Sequence, residues 1–289
     1  MNPAATIRPS RTRIALAARW RRLALAALLS SGIAAAAAPA AKPGAVAVTL
    51  VSEAAAIRPG RPFWVGLRMD HDADWHTYWK NPGDAGVPTT LAWTLPPGFR
   101  AGDIEWPYPS RLPRGPLASY GYEGSVLLPV PLFAPAALRP GDRISLAARA
   151  GWLECRDSCV PREAELRLEL LVAREERPAA ASLFREARAR LPQALEGARA
   201  VARRRGEAVE VNLDLPAPAG RRGELFFEAE DFVEPGETPV VGERAGGAVW
   251  TARLTANGRR GPPRSLPAVW VAPSPDGATR AWRISVELQ

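Results

Sequence analysis

The chain has 289 residues, 47% of them hydrophobic and ten of them tryptophan, enough for two domains of roughly 110–130 residues with their own cores. Its formal charge of +8 invites a nucleic-acid reading, but Arg8, Arg11, Arg13, Arg19, Arg21 and Arg22 all sit in the first 40 residues, with no acid among them. Beyond that segment 32 basic residues face 30 acidic ones, so no nucleic acid or anionic lipid surface is expected as a partner.

Residues 1–40 have the build of a signal peptide. A basic region ends at Trp20-Arg21-Arg22, the apolar stretch LALAALLSSGIAAAAA follows, and small residues come next around Ala38-Pro39-Ala40. The apolar stretch is long enough to span a bilayer, but it is mostly alanine and is broken by Ser30, Ser31, Gly32 and Pro39, which favours removal over anchoring. No later stretch is long and apolar enough to cross. No stable membrane insertion is therefore expected after signal removal, and the mature chain is expected outside the cytoplasm, where disulfides persist.

From residue 45 to 172 the pattern is one of strands. VAVTLVS and RPFWVGLRM alternate between apolar and polar residues and are bounded by Pro and Gly. In WHTYWK one face carries Trp75, Thr77 and Trp79, and the other His76, Tyr78 and Lys80; NPGDAG then reads as a turn. SVLLPVPLF, RISLAARAGWL and AELRLELLV continue the series, and short strands at this spacing predict a sandwich rather than a βαβ fold. A break at AREERPAAAS leads to a helix predicted over 182–190, with Ser182 as its N-cap, ended or bent at Pro192 and resumed in ARAVARRRGE. Alternation returns after Gly206 in AVEVNLDL, ELFFEAE, GAVWTARLT, PAVWVAP and RAWRISVELQ. The expected architecture is all-β: a signal peptide (1–40), a first immunoglobulin-like sandwich (41–172), a linker with a helix (173–206) and a second β-sandwich domain (207–289).

GWLECRDSCVP holds the only two cysteines, Cys155 and Cys159. On an extended strand residues four apart lie ~13 Å from each other, too far for a disulfide, whereas a helical turn or tight loop brings them to ~6 Å. Asp157 and Ser158 favour a turn at a strand end. Three readings of the pair stay open. As a brace, a loop this short contributes only about 2 kcal/mol. As a metal clip it would recruit His71 and His76, which lack zinc-finger spacing, or would hold Cu(I) on the thiolates alone. As an exchange couple, one sulfur attacks a partner and its neighbour resolves the mixed disulfide; the nearby charges of Arg156, Arg162, Glu154, Asp157 and Glu163 nearly cancel and give no sign of a depressed thiol pKa. The spacing leans towards exchange, and no cofactor or bound metal is expected. The chain has no G-x-S-x-G, no phosphate-binding glycine loop and no H-E-x-x-H.

Four stretches in chain order, WHTYWKNPGDAGVP, IEWPYPSRLP, YGYEGSVLLPV and GWLECRDSCVPREAEL, together resemble the N-terminal periplasmic domain of the thiol:disulfide interchange protein DsbD family, and most of all its suppressor-of-copper-sensitivity relatives. The resemblance implies an immunoglobulin-like redox domain in the periplasm that takes electrons from a membrane-embedded donor and passes them to thioredoxin-like proteins. On this chain it implies that Cys159 bonds the partner and Cys155 resolves. YGYEG would be a cap loop, with Tyr120, Gly121 and Tyr122 placing rings over the disulfide. Family members continue into a membrane region and a thioredoxin-like domain, so a separate membrane-embedded donor is expected here. The alternatives carried forward are a copper-binding protein using the same thiols and a structural adaptor with a bracing disulfide.

Overall fold

In a computed structural model of the chain, residues 44–236, 239–260 and 264–289 are described. The signal peptide expected at 1–40 lies outside them.

The first half is two facing sheets. One runs in the order Val46–Ser52, Pro62–His71, Ser125–Phe133, Arg100–Ala101, all neighbours antiparallel. The other runs Arg177–Pro178, Ala54–Ile57, Cys159–Val172, Arg143–Cys155, His76–Gly83, Leu117–Glu123, Ser110–Arg114, with Thr90–Thr94 also paired to Arg143–Cys155. Alternation dictates the faces: Val46, Val48 and Leu50 point inward from one sheet, and Ile144, Leu146, Ala148 and Ala150 from the other, into one apolar cluster. Trp79 lies fully buried in that cluster, on the face of WHTYWK predicted to carry it.

The helix spans Ala181–Ala189, starts one residue earlier than expected, and has Ala180 rather than Ser182 at its N-cap, without a side-chain cap bond. It is docked rather than free. Phe184 and Ala187 pack against Leu127, and Arg188 holds Glu53 through two bonds of 2.6 Å. The expected resumption of helix in ARAVARRRGE is corrected: Arg199–Arg205 is a strand in a hairpin with Ala208–Asp214. The helix ends at Ala189, Pro192 bars its continuation, and Gly197, at φ +75°, turns the chain into the strand. Burial of Ala200 and Ala202 at period two then outweighs the helical propensity of alanine and arginine.

The second half is one hydrogen-bonded sheet in the order Glu224–Phe227, Ser265–Pro273, Thr279–Leu288, Arg199–Arg205, Ala208–Asp214, Gly247–Arg253, Val240–Arg244. It curls around a core that includes Trp250, Trp270 and Trp282, giving a second sandwich-like half. Glu224–Phe227 is buried on both faces: Leu225 and Phe227 enter this core, whereas Phe226 enters the cluster of the first half with Val269 and Ala281. The molecule is all-β, with two sandwich-like halves sharing apolar contact. No helix among the described residues is long and apolar enough to cross a membrane.

Candidate functional site

The longest hairpin of the first half pairs Arg143–Cys155 with Cys159–Val172 and ends with Cys155 directly opposite Cys159. Arg156, Asp157 and Ser158 make the turn, closed by a bond of 3.3 Å from Arg156 N to Ser158 O. The tight strand-end loop suggested by Asp157 and Ser158 is what forms. The Cα atoms are 4.2 Å apart and the sulfurs are joined at 2.01 Å. The two cysteines differ in access: Cys155 is 2% exposed, and Cys159 lies on the exposed side of the turn.

Tyr78 meets the sulfurs from the neighbouring strand. His76 faces Cys155 across the ladder, and Tyr78, two residues on, shares that face. The Tyr78 hydroxyl donates to Cys155 Sγ at 2.8 Å and lies 3.6 Å from Cys159 Sγ. Burial raises its pKa, offset in part by the Ser119 hydroxyl and the charge of Arg114, so the phenol keeps its proton and remains a donor. Two contacts fix the ring. The His76 imidazole meets it edge-on at 5.3 Å, and Gly86 lies beneath it, at φ +126°, where an added Cβ would come within 2.3 Å of the ring. The NPGDAG turn thus supplies the glycine floor for this tyrosine.

His76 is buried and its Nδ1 has no hydrogen-bond partner among the described residues. Burial, then the charges of Arg114 and His71, push its pKa down to about 4. Burial also lowers that of His71, which donates from Nδ1 to Gly124 O at 2.7 Å and accepts the Thr77 hydroxyl at Nε2 at 2.9 Å. Below pH ~6.5 the unfolded chain binds protons that these neutral rings refuse, so stability must fall as the pH drops towards 4. His76→Phe keeps the ring contact and is expected to flatten this slope, by up to about 1.4 kcal/mol per pH unit, in urea unfolding measured from pH 7 to 4.

Glu154, next to Cys155, is a buried carboxylate. It accepts from Arg162 Nε at 2.7 Å, from Val46 N at 3.2 Å and from Trp152 Nε1 at 3.4 Å, tying the cysteine hairpin to the first strand. At the rim the Arg156 guanidinium stacks over Trp75 at 5.4 Å, and Arg114 reaches Glu123 at 3.7 Å. Among the described residues no group of three or more His, Cys, Asp or Glu is gathered as a metal-ligand set.

The expected cap loop is corrected. YGYE lies within the strand Leu117–Glu123, and its tyrosines point away from the sulfurs. Tyr122 is buried and donates to Pro107 O at 2.7 Å; Tyr120 is buried with its ring edge-on to Phe226 at 5.1 Å. Period two explains this: Tyr120 and Tyr122 share the core-facing side, and Gly121 between them lies opposite Tyr78. A Cβ on Gly121 would sit 2.0 Å from Thr77 O, so the glycine serves close strand approach rather than a loop. The ring over the disulfide belongs to Tyr78. Its face was readable in WHTYWK, but its meeting with Cys155 depends on a cross-strand register that the sequence does not display.

Residues 46–171 match the family model described as thiol:disulfide interchange protein DsbD, N-terminal. No curated protein matches the chain by sequence. Among solved structures, the chain is similar to the N-terminal periplasmic domain of ScsB from Proteus mirabilis, with a TM-score of 0.62 at 16% identity, covering 85% of this chain and 94% of that one. At that identity the likeness is one of fold. A protein of unknown function from Porphyromonas gingivalis aligns with a TM-score of 0.25 at 13% identity, over 85% of this chain and all (100%) of that one. The E. coli chaperone DraB aligns with a TM-score of 0.24 at 12% identity, over 82% and 96%. The cysteine hairpin lies inside the segment 46–171, the part of the chain that matches the thiol:disulfide interchange protein DsbD N-terminal family.

Proposed function

We propose that the protein relays reducing equivalents in the periplasm through Cys155 and Cys159, receiving them from a membrane-embedded donor and passing them to thioredoxin-like partners. The observation that carries this reading is the asymmetry of the pair: an exposed Cys159 bonded to a buried Cys155 that already has a phenolic donor at 2.8 Å.

The donor's thiolate attacks Cys159 Sγ, the accessible sulfur. A bond forms between the donor sulfur and Cys159, the Cys155–Cys159 bond breaks, and Cys155 leaves as a thiolate carrying the electron pair. A thiolate in a buried position is costly, and Tyr78 O–H stands where that charge develops. A second donor thiol then attacks its own sulfur in the mixed disulfide, leaving the donor oxidised and both cysteines reduced. In the forward transfer Cys159 attacks the acceptor's disulfide, and Cys155 attacks Cys159 to expel the reduced acceptor.

Cys155→Ser removes the resolving sulfur and keeps the attacking one. Incubated with an oxidised thioredoxin-like protein, it is expected to accumulate a mixed disulfide that peptide mapping assigns to Cys159. Cys159→Ser is expected to accumulate little or none. Failure of Cys155→Ser to trap any such partner, or bonding through Cys155 in the Cys159→Ser chain at a similar yield, overturns the assignment.

A further inference from the structure

The strand that presents Tyr78 is irregular immediately after it. Tyr78 pairs with Gly121, but the next pair is Gly83 with Ser119, so four residues, Trp79 to Pro82, face the single residue Tyr120. A bulge of this size leaves backbone and side chains without ladder partners. The second half meets the side chains of this bulge. Asn81 is buried, and both of its amide hydrogens are used: Nδ2 donates to Phe227 O at 2.8 Å and Ala229 O at 3.0 Å, while Oδ1 accepts from Gly83 N at 3.0 Å. Lys80 pairs with Glu228 at 2.6 Å. Phe226 inserts between the two sides of the bulge, edge-on to Trp79 at 6.2 Å and to Tyr120 at 5.1 Å. One short segment of the second half, Phe226–Ala229, thus packs against the bulge that follows the tyrosine touching the disulfide.

We infer that the second half is the positioning element of the redox pair: Asn81 and Phe226 lock the bulge that aims Tyr78 at Cys155. The inference rests on the relay reading and gives the second sheet a role in it. Both are positioning residues, acting through Tyr78 and touching neither sulfur. The Tyr78 hydroxyl favours a charged sulfur over a disulfide one, so loosening its aim shifts the pair towards the disulfide.

The test is a redox cycle in the full chain. The equilibrium constant against glutathione is measured for the parent, Asn81→Ala, Tyr78→Phe and the double variant, with Leu213→Ala as a destabilised control from the second core. Asn81→Ala is expected to move the constant towards the disulfide by about fivefold, and the double variant to match Tyr78→Phe alone. Leu213→Ala is expected to leave the constant unchanged. Phe226→Leu, read in the same way, replaces Asn81→Ala if that chain does not fold. Constants within about twofold of the parent for the folded Asn81 and Phe226 variants, or effects that multiply in the double variant, overturn the positioning role while leaving the relay intact. A parent that does not exchange with glutathione at all overturns the relay, and this inference with it.

Discussion

Tyr78→Phe is expected to slow opening of the disulfide by roughly 30-fold while leaving the fold unchanged. The ring contacts with His76 and Gly86 survive the substitution; the only loss is the hydroxyl that donates to Cys155 Sγ at 2.8 Å. That hydroxyl does little for a neutral disulfide sulfur and much for a departing thiolate, so its removal raises the barrier more than it alters the ground state. Burial of Cys155 keeps water from taking its place. The check is the rate at which excess dithiothreitol reduces the disulfide, followed by timed alkylation, with the thermal midpoint measured alongside. A rate within about twofold of the parent, at an unchanged midpoint, shows that the phenol does not stabilise the leaving sulfur.

Gly121→Ala is expected to be the most damaging single methyl in the first half, costing about 3 kcal/mol or more. The new Cβ would lie 2.0 Å from Thr77 O, 3.1 Å from Thr77 C and 3.3 Å from Tyr78 Cα, all of them main-chain atoms. Neither strand has room to retreat, because Thr77 and Tyr122 are buried where the strands pair. Any accommodation also moves Tyr78, so the folded fraction should reduce more slowly than the parent. Gly242→Ala is the matched control: no atom of the described residues lies within 4 Å of its added Cβ, and it is expected to change stability by less than about 0.5 kcal/mol. Urea unfolding measures both. Equal midpoints for the two variants would contradict the strand approach described here.

The sequence makes some of this site plain and conceals the rest for identifiable reasons. The cysteine turn is legible because it is local: Asp157 and Ser158 sit between two alternating runs, and the hairpin closes within five residues. The faces of WHTYWK are legible because period two is a property of the backbone, and Trp79 does enter the core. The partner of the disulfide is not legible. Tyr78 and Cys155 are far apart in the chain and meet through a register that depends on how the whole sheet assembles. YGYEG misleads because glycine at a tight strand approach looks, in sequence, like glycine in a loop. RAVARRR misleads because alanine and arginine favour helix until a neighbouring strand buries one side of the run. ELFF does carry a signal, since consecutive apolar residues fit a strand covered on both faces, but only the fold shows that one of those faces meets the first half.

The central claim is that Cys155 and Cys159 open and close while the protein stays folded. Its most direct test is to equilibrate the full chain in glutathione buffers from fully reduced to fully oxidised, trap free thiols by alkylation, and count them by mass, with tryptophan fluorescence reporting the fold. The expected result is a single two-electron transition in which two thiols appear and disappear together, the same from either direction, with native fluorescence throughout. A disulfide that persists across every buffer, or that opens only as the fold is lost, would make the pair a brace and contradict the account.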